Sequence, residues 1–228
     1  PSGRPIFINT LFSCLAAVDE QTSFRPVWQP PFVTALRPED RCHLNGLAME
    51  DGRPRFVTAA GQTDAPRAWR EKRTGNGCVI DVESSEIVAT GLTMPHSPRL
   101  HDGRLYICNA GTGEFGEIEL KSGRFNPIAF CPGFVRGISF VGDHVLVGLS
   151  LPRQHRDFSG LPLDDRLKQE GKGPRCMIEV IDLASGKPAH WLSLGGVVRA
   201  SPSHELLEPL RKAMREAGAG PLKVSQDA

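Results

Sequence analysis

The chain has 228 residues, enough for one large domain or two small ones, and its 24 glycines and 19 prolines indicate a globular, turn-rich protein. A formal net charge of +1 gives no bulk reason to expect nucleic acid, an anionic membrane or an acidic substrate as a partner. The sequence has no apolar run of about 18 residues, so we expect no membrane span. Residues 1–9 lack the pattern of a secretory signal, which a mature secreted chain would lack as well.

The six cysteines form no Cys-x-x-Cys pair and match no zinc signature. Most of them lie in apolar, strand-like runs such as Gly77–Ile80 and Leu105–Cys108. The pattern predicts buried free thiols in a reducing compartment, and hence a cytoplasmic protein, with disulfides as the alternative. Cys42, which stands beside His43, is the one candidate for a reactive thiol.

Short apolar runs bounded by Gly, Pro, Asp and Ser dominate the sequence before residue 200, which is typical of strands and turns. Between such runs an acidic residue recurs, followed three positions later by Ser or Thr. Because the acidic side chain can accept hydrogen bonds from turn amides, each copy predicts a hairpin. The acidic residues of the four copies are Asp19, Asp81, Glu119 and Asp182.

A second element precedes the last three copies and consists of an apolar stretch, a polar turn and a β-rich run. Its turns begin at Asp51, Asp102 and Gly142, which are 51 and 40 residues apart. Together the two elements give repeating units of four short strands, each about 40 residues long, as a β-propeller blade requires. We therefore predict an all-β chain with a β-propeller fold. A sandwich or jelly roll is the alternative, but neither explains the regular recurrence.

The predicted propeller region covers residues 1–200, and a C-terminal amphipathic helix with a tail covers residues 201–228. We expect three complete four-stranded blades and one partial blade that lacks its inner strand. Propellers close with about 4–8 blades, so we expect an incomplete ring that a missing segment or another subunit completes. The partial blade is predicted at residues 5–36, and the complete blades at 43–94, 95–133 and 134–194.

Two regions depart from the repeat. Residues 151–175 are a long polar insertion with a short helix predicted at Leu163–Gln169. Insertions of this kind form surface loops and often bind ligands, although a merely tolerated insertion is the alternative. Residues 203–217 carry an apolar stripe at helical spacing after Ser203, a suitable N-cap, which predicts a helix that packs on the domain or on a partner.

Motifs of known catalytic classes are absent from the sequence. Gly111–Gly116 matches the Gly-x-Gly-x-x-Gly pattern of dinucleotide sites, but strand-like residues follow it where such a site needs a helix. There is no nucleophile elbow, no His-Glu-x-x-His pair and no phosphate-binding loop. The glycine-rich segment is therefore predicted to be a hairpin.

Aligning the repeats on their polar turns places Asn45, His96 and Arg136 at one equivalent position, the start of the inner strand. Inner strands line the central channel of a propeller, so we expect these side chains to converge at one mouth of the channel. Such a set suits a polar ligand or an oxyanion, although an ordinary water-filled polar channel is the alternative. Further candidates for the mouth are Arg99, His43 and Arg41.

Several longer motifs resemble a bacterial family of conserved hypothetical proteins, which occurs near or fused to tetratricopeptide repeats. The resemblance covers about residues 4–199 and implies a propeller-like fold without an assigned activity. The domain of that family extends further on both sides, and this sequence leaves its pattern after Arg199. The motifs are the runs Arg41–Met49, Pro95–Arg99, Ala110–Glu114, Pro132–Gly137 and Phe158–Asp164.

The run Asn45–Ala48 is also similar to the inner-strand motif of gluconolactonase-like propellers, in which such an Asn coordinates a divalent cation. This resemblance makes a divalent cation the one cofactor to consider, with His43, Asn45 and His96 as candidate ligands. Arg136 at the equivalent position argues against a metal, because arginine cannot ligate one.

Two functions remain open from the sequence. The leading hypothesis is a non-catalytic module that binds a small anionic ligand or a protein partner through Asn45, His96, Arg99 and Arg136, with neither nucleic acid nor membrane as a partner. The alternative is a hydrolase or lyase in the channel, with or without a metal. In that case His96 or His43 is the general base, because imidazole titrates near neutral pH, and the arginines hold an oxyanion.

Overall fold

The computed structural model describes residues 5–151 and 160–194, and their regular structure is almost entirely β. The first sheet contains β1 (Ile6–Asn9), β2 (Cys14–Ala17) and β3 (Arg25–Trp28). The second contains β4 (Leu44–Glu50), β5 (Arg53–Ala59), β6 (Gly77–Asp81) and β7 (Ile87–Leu92). The third contains β8 (Pro95–His101), β9 (Arg104–Asn109), β10 (Glu114–Glu119) and β11 (Arg124–Phe130). The fourth contains β12 (Phe134–Val141), β13 (His144–Ser150), β14 (Met177–Asp182) and β15 (Pro188–Ser193).

Within every sheet the spatial order of the strands follows the order of the chain. The registered neighbours pair antiparallel, so each sheet is an up-and-down meander. Successive four-stranded meanders of this kind are propeller blades. The predicted all-β, β-propeller fold is confirmed, and the first sheet has three strands in the described part of the chain.

The strands of a blade are buried on both faces, and β6 shows how the sequence achieves this. All five of its residues are buried. Cys78 and Ile80 belong to one apolar cluster, shared with β2 and β4, while Val79 belongs to another, shared with β7 and β9. Neighbouring side chains of a strand point to opposite faces, so a nearly continuous apolar run is needed to fill both interfaces.

The acidic turns form as predicted. One carboxylate oxygen of Asp81 accepts hydrogen bonds from the backbone amides of Glu83 at 2.9 Å and Ser84 at 3.2 Å. Asp182 accepts a bond from the Ser185 amide at 2.8 Å in the same way. These bonds satisfy amide groups that a tight turn leaves without strand partners, which is why an acidic residue recurs at this position.

Each of the last three turns also rests on the outer strand of the preceding sheet. The indole of Trp28, on β3, donates a hydrogen bond to the Ser85 hydroxyl at 3.1 Å. A Cβ atom on Gly123 would lie 2.6 Å from the Val88 carbonyl oxygen on β7. Gly186 faces the Ile128 carbonyl on β11 more closely still, and both glycines have a positive φ. All three contacts place an acidic turn against the outer strand of the preceding sheet.

The inner strands β4, β8 and β12 all contain a bulge near their first residues. The pairing register shifts at Asn45 on β4, between His96 and Arg99 on β8, and at Gly137 on β12. A bulge bends the strand and changes the direction of the neighbouring side chain. The irregularities therefore lie at, or directly after, the three positions that the repeat alignment makes equivalent.

The insertion of residues 151–175 is described only in part, since residues 152–159 lie outside the described chain. It contains the helix α1 (Pro162–Gln169), close to the predicted bounds. Leu163 is buried, and its backbone amide donates to the Gly111 carbonyl at 2.9 Å. The glycine-rich segment thus forms a turn, as predicted, and also supports this helix. The insertion is more than a loose surface loop.

The chain separates into two compact units. Unit 1 comprises Pro1–Asn109 with Glu117–Asn126, and unit 2 comprises Ala110–Gly116 with Pro127–Ala228. The predicted C-terminal helix at residues 203–217 lies outside the described residues. In the part of the chain that the structure describes, no helix is long and apolar enough to cross a membrane.

Candidate ligand-binding site

Arg99 on β8 is a cation without a carboxylate partner among the described residues. Its guanidinium Nη1 donates to the backbone carbonyls of Leu47 at 3.1 Å and Pro98 at 2.8 Å. Burial lowers the pKa of Arg99, because desolvation disfavours the charged form. Leu47 lies on β4, the edge strand of its sheet, so this bond links the edge of the second sheet to β8.

Asn45 lies two residues before Leu47, at the bulge of β4. Its side-chain oxygen accepts a hydrogen bond from the Thr58 hydroxyl at 2.7 Å, which fixes the orientation of the amide. The amide nitrogen Nδ2 is buried and has no hydrogen-bond partner. Buried donors are nearly always paired in native proteins, so this N–H group is a candidate for binding a ligand.

His96, on β8, is buried, and its Nδ1 donates to the Met94 carbonyl at 2.8 Å. The carbonyl can only accept, so this bond places the proton on Nδ1. Gly46 brings β4 and β8 together, because a Cβ atom at this position would overlap the Pro98 side chain. Asn45, His96 and Arg99 therefore all lie on two contacting inner strands of unit 1.

His43 precedes β4 and forms a pair with Asp40. The ring nitrogen Nδ1 lies 3.1 Å from both carboxylate oxygens of Asp40. The indole of Trp69 donates to the same carboxylate at 3.0 Å and stacks on the imidazole, with the ring centroids 4.1 Å apart. The sequence predicted His43 as a candidate, but Asp40 and Trp69 were not foreseen.

Arg41, the last of the three further candidates for the channel mouth, is already paired with two carboxylates. Its guanidinium bonds Glu39 at 2.7 Å and Asp64 at 2.8 Å. The hydrogen bonds to Asp64 and then Glu39 raise the pKa of Arg41. We conclude that Arg41 stabilises the segment before β4 and is not available to a ligand.

Arg136 lies in unit 2, at the equivalent position of β12. Its guanidinium carbon is 4.9 Å from the centre of the Phe134 ring, a cation–π contact. The predicted convergence of Arg136 with Asn45 and His96 stays a prediction.

A metal site is not formed by the described residues, in which no three His, Cys, Asp or Glu side chains are grouped to hold a cation. Among the described residues, His43, Asn45 and His96 are therefore not part of such a group. Cys42 is also unsuited to reaction, because it is fully buried and burial raises the pKa of its thiol to about 12. All six cysteines are free and buried, as predicted.

The sequence profile of a domain of unknown function, DUF4915, matches residues 2–213. The chain belongs to this family. The match covers the motifs on which the resemblance to conserved hypothetical proteins was based. No curated protein matches this DUF4915 chain.

Solved structures similar to the DUF4915 chain show its fold alone. A protein of unknown function from Bacteroides caccae has a TM-score of 0.50 at 11% identity, with 87% of this chain and 61% of that chain covered. The β-propeller domain of Cps50 (Swd1) from Myceliophteria thermophila has a TM-score of 0.42 at 10% identity, with 84% and 55% covered. BamB from Moraxella catarrhalis has a TM-score of 0.42 at 12% identity, with 84% and 49% covered. The chain thus spans between 49% and 61% of the lengths of these three proteins.

Sequence reasoning also missed Glu179, a buried acid in unit 2 on β14. Its Oε2 has no hydrogen-bond partner, and burial raises the pKa of its carboxyl group. A single acidic residue in an apolar strand gives no sequence signal of its own. The repeat alignment was built on inner strands and turns, so a residue in the third strand of a blade fell outside it.

Proposed function

We propose that the inner strands β4 and β8 of unit 1 bind a small anion, such as a phosphate or carboxylate group. The proposal rests mainly on Arg99, a partly buried guanidinium that donates hydrogen bonds only to carbonyl groups. The charge of Arg99 is therefore not neutralised by any described acid, and an incoming anion supplies the missing partner.

The energetics favour an anion over a neutral ligand. Removing a charge from water is costly, and the fold already bears this cost at Arg99, as the lowered pKa indicates. A charge-assisted hydrogen bond made there is about twice as strong as a neutral one. Arginine can also present two parallel N–H groups to a planar carboxylate or to a phosphate.

Asn45 supports the same proposal as a second donor. Its Nδ2 group has no partner, while the bond from Thr58 to its oxygen fixes which way the amide faces. An anion that accepts from Nδ2 would satisfy this group at no cost in orientation. His96 adds a third polar group to the same pair of strands.

The proposal is tested by calorimetric titration of the whole chain with inorganic phosphate. We expect Arg99→Met to weaken phosphate binding at least tenfold, which corresponds to about 1.4 kcal/mol. Arg99→Lys keeps the charge but not the planar fork, so its affinity should fall between the two. Unchanged affinity in Arg99→Met, or no phosphate binding by the wild type, would overturn the proposal.

A second pair of variants isolates the role of the Asn45 amide. Asn45→Asp keeps the oxygen that Thr58 binds and replaces the donor with a negative charge, so phosphate binding should be lost. Asn126→Asp makes the same charge change on the outer strand β11 and should leave binding nearly unchanged. Equal losses in both variants would mean that only net charge matters, and Asn45 would then not be part of the site.

A further inference from the structure

A second site lies in the segment before β4, where Asp40, His43 and Trp69 form one cluster. Asp40 accepts from the histidine Nδ1 and from the Trp69 indole, and Trp69 is buried against the imidazole. No described residue hydrogen-bonds the other ring nitrogen, Nε2. The His43 side chain is 25% exposed, whereas that of Asp40 is 14% exposed. We propose that Asp40 and His43 form a general-base dyad, in which Nε2 of His43 deprotonates water for the hydrolysis of an ester.

The backbone fixes the conformation of both dyad residues. Asp40 has a φ of 48° and His43 a φ of 52°, both in the left-handed region, which Asp and His enter more readily than most other non-glycine residues. The Asp40 amide donates a hydrogen bond to the Leu11 carbonyl at 2.8 Å, so this conformation is held from outside the dyad.

The reaction uses water because the neighbouring side-chain nucleophiles are sequestered. Cys42 is fully buried, and burial raises the pKa of its thiol to about 12. Ser13 is buried, and its hydroxyl oxygen accepts hydrogen bonds from the amides of Arg41 at 3.1 Å and Cys42 at 3.4 Å. Neither residue is suited to form an acyl intermediate, which leaves water as the nucleophile.

The proposed step is balanced in atoms and charge. Neutral His43 takes one proton from water at Nε2, and the water oxygen forms a bond to the acyl carbon. The bond between the acyl carbon and the alcohol oxygen then breaks, and the proton passes from Nε2 to that oxygen. One ester and one water become one acid and one alcohol. Asp40 and Trp69 are positioning residues, since they orient the imidazole and place its other proton on Nδ1.

The test measures hydrolysis of 4-nitrophenyl acetate by the whole chain, with His101→Gln as matched control. His101 also contacts a carboxylate, Asp102 at 3.4 Å, and its side chain is 29% exposed, but Asp102 is 85% exposed and cannot hold the ring. We expect His43→Gln to lose about 10²-fold in rate and His101→Gln to lose almost nothing. No hydrolysis by the wild type above buffer, or equal rates in the wild type and His43→Gln, would overturn the dyad.

A measurement on the unmutated protein covers the case in which a variant fails to fold. Long-range ¹H–¹⁵N spectra should show neutral His43 with its proton on Nδ1, and a proton on Nε2 would exclude it as the base. Asp40→Asn should shift the tautomer towards Nε2–H and lower the rate at every pH. Hydrolysis should also show no burst of nitrophenol, and a burst would indicate a covalent intermediate and overturn the water mechanism. None of these measurements depends on phosphate binding at Arg99, so the two sites can fail separately.

Discussion

Arg41 and Arg99 are both arginines of unit 1, yet the fold uses their charges in opposite ways. Arg41 bonds two carboxylates, those of Glu39 and Asp64, and these bonds raise the pKa of its guanidinium. Arg99 bonds two carbonyls, and burial lowers the pKa of its guanidinium. The pairing of a cation, more than its position in a repeat, decides whether that cation can serve a ligand.

The comparison separates residues that stabilise from residues that bind. A paired charge contributes to the stability of the fold, and losing one partner leaves the other unsatisfied. An unpaired, desolvated charge costs stability in the free protein and gains its partner only on binding. Four predictions test this separation, from the largest expected effect to the smallest.

The largest effect is expected from a purely structural residue. Ile107 on β9 is fully buried in the cluster between the second and third sheets. Ile107→Ala should lower the free energy of unfolding by about 2–5 kcal/mol through the cavity it leaves. Denaturant titration measures this loss, and phosphate affinity below the transition should stay as in the wild type. A loss below about 1 kcal/mol would mean that this interface is not a packed core.

Replacing each of the two arginines should change a different property of the protein, the stability for Arg41 and phosphate binding for Arg99. Arg41→Met should lower the Tm, because Glu39 and Asp64 lose their cation, while phosphate affinity remains. Arg99→Met should weaken phosphate binding at least tenfold, about 1.4 kcal/mol, without lowering the Tm. Thermal unfolding gives the Tm of each variant, and calorimetry gives its phosphate affinity. A lower Tm in Arg99→Met with unchanged binding would reverse the assignment of the two residues.

Glu179 in unit 2 is the acidic counterpart of Arg99, and its effect depends on pH. Burial raises the pKa of its carboxyl group, so the folded state holds a proton that the unfolded state releases near its ordinary value of about 4.3. The stability that this group contributes is fully present below that value and is lost as the pH rises through the folded pKa. Glu179→Gln should therefore flatten the fall of stability with rising pH in that window, as urea titrations at several pH values would show. An unchanged pH profile in the variant would mean that Glu179 is ionised in the fold.

The smallest effect is expected at an exposed pair. Arg104 on β9 forms an ion pair with Glu117 on β10, and the Arg104 side chain is largely exposed. Solvent screens such pairs, so Arg104→Ala should change the unfolding free energy by about 0–1 kcal/mol, and less at high salt. A larger loss, measured at low and at high salt, would show that surface pairs also stabilise this fold.

Much of the fold followed from the sequence because its signals are local. The apolar runs of β6 and β9 are nearly continuous since both faces of a blade are buried, and Asp81 and Asp182 recur because a tight turn leaves amides to satisfy. A strand period and a turn are set by neighbouring residues, so a single sequence displays them. The contacts of Ser85, Gly123 and Gly186 with the preceding sheet were not visible, because each joins residues far apart in the chain.

For the candidate site, the repeat in the sequence by itself placed Asn45, His96 and Arg136 at equivalent inner-strand positions and added Arg99 as a further candidate. Only the tertiary structure decided which of these groups lack a partner. It paired Arg41 with Asp64, left Arg99 without an acid, and set Asp40 and Trp69 around His43. The reason is physical: whether a charge is paired depends on desolvation and on partners brought together by folding, and neither is encoded in the spacing of residues along one strand.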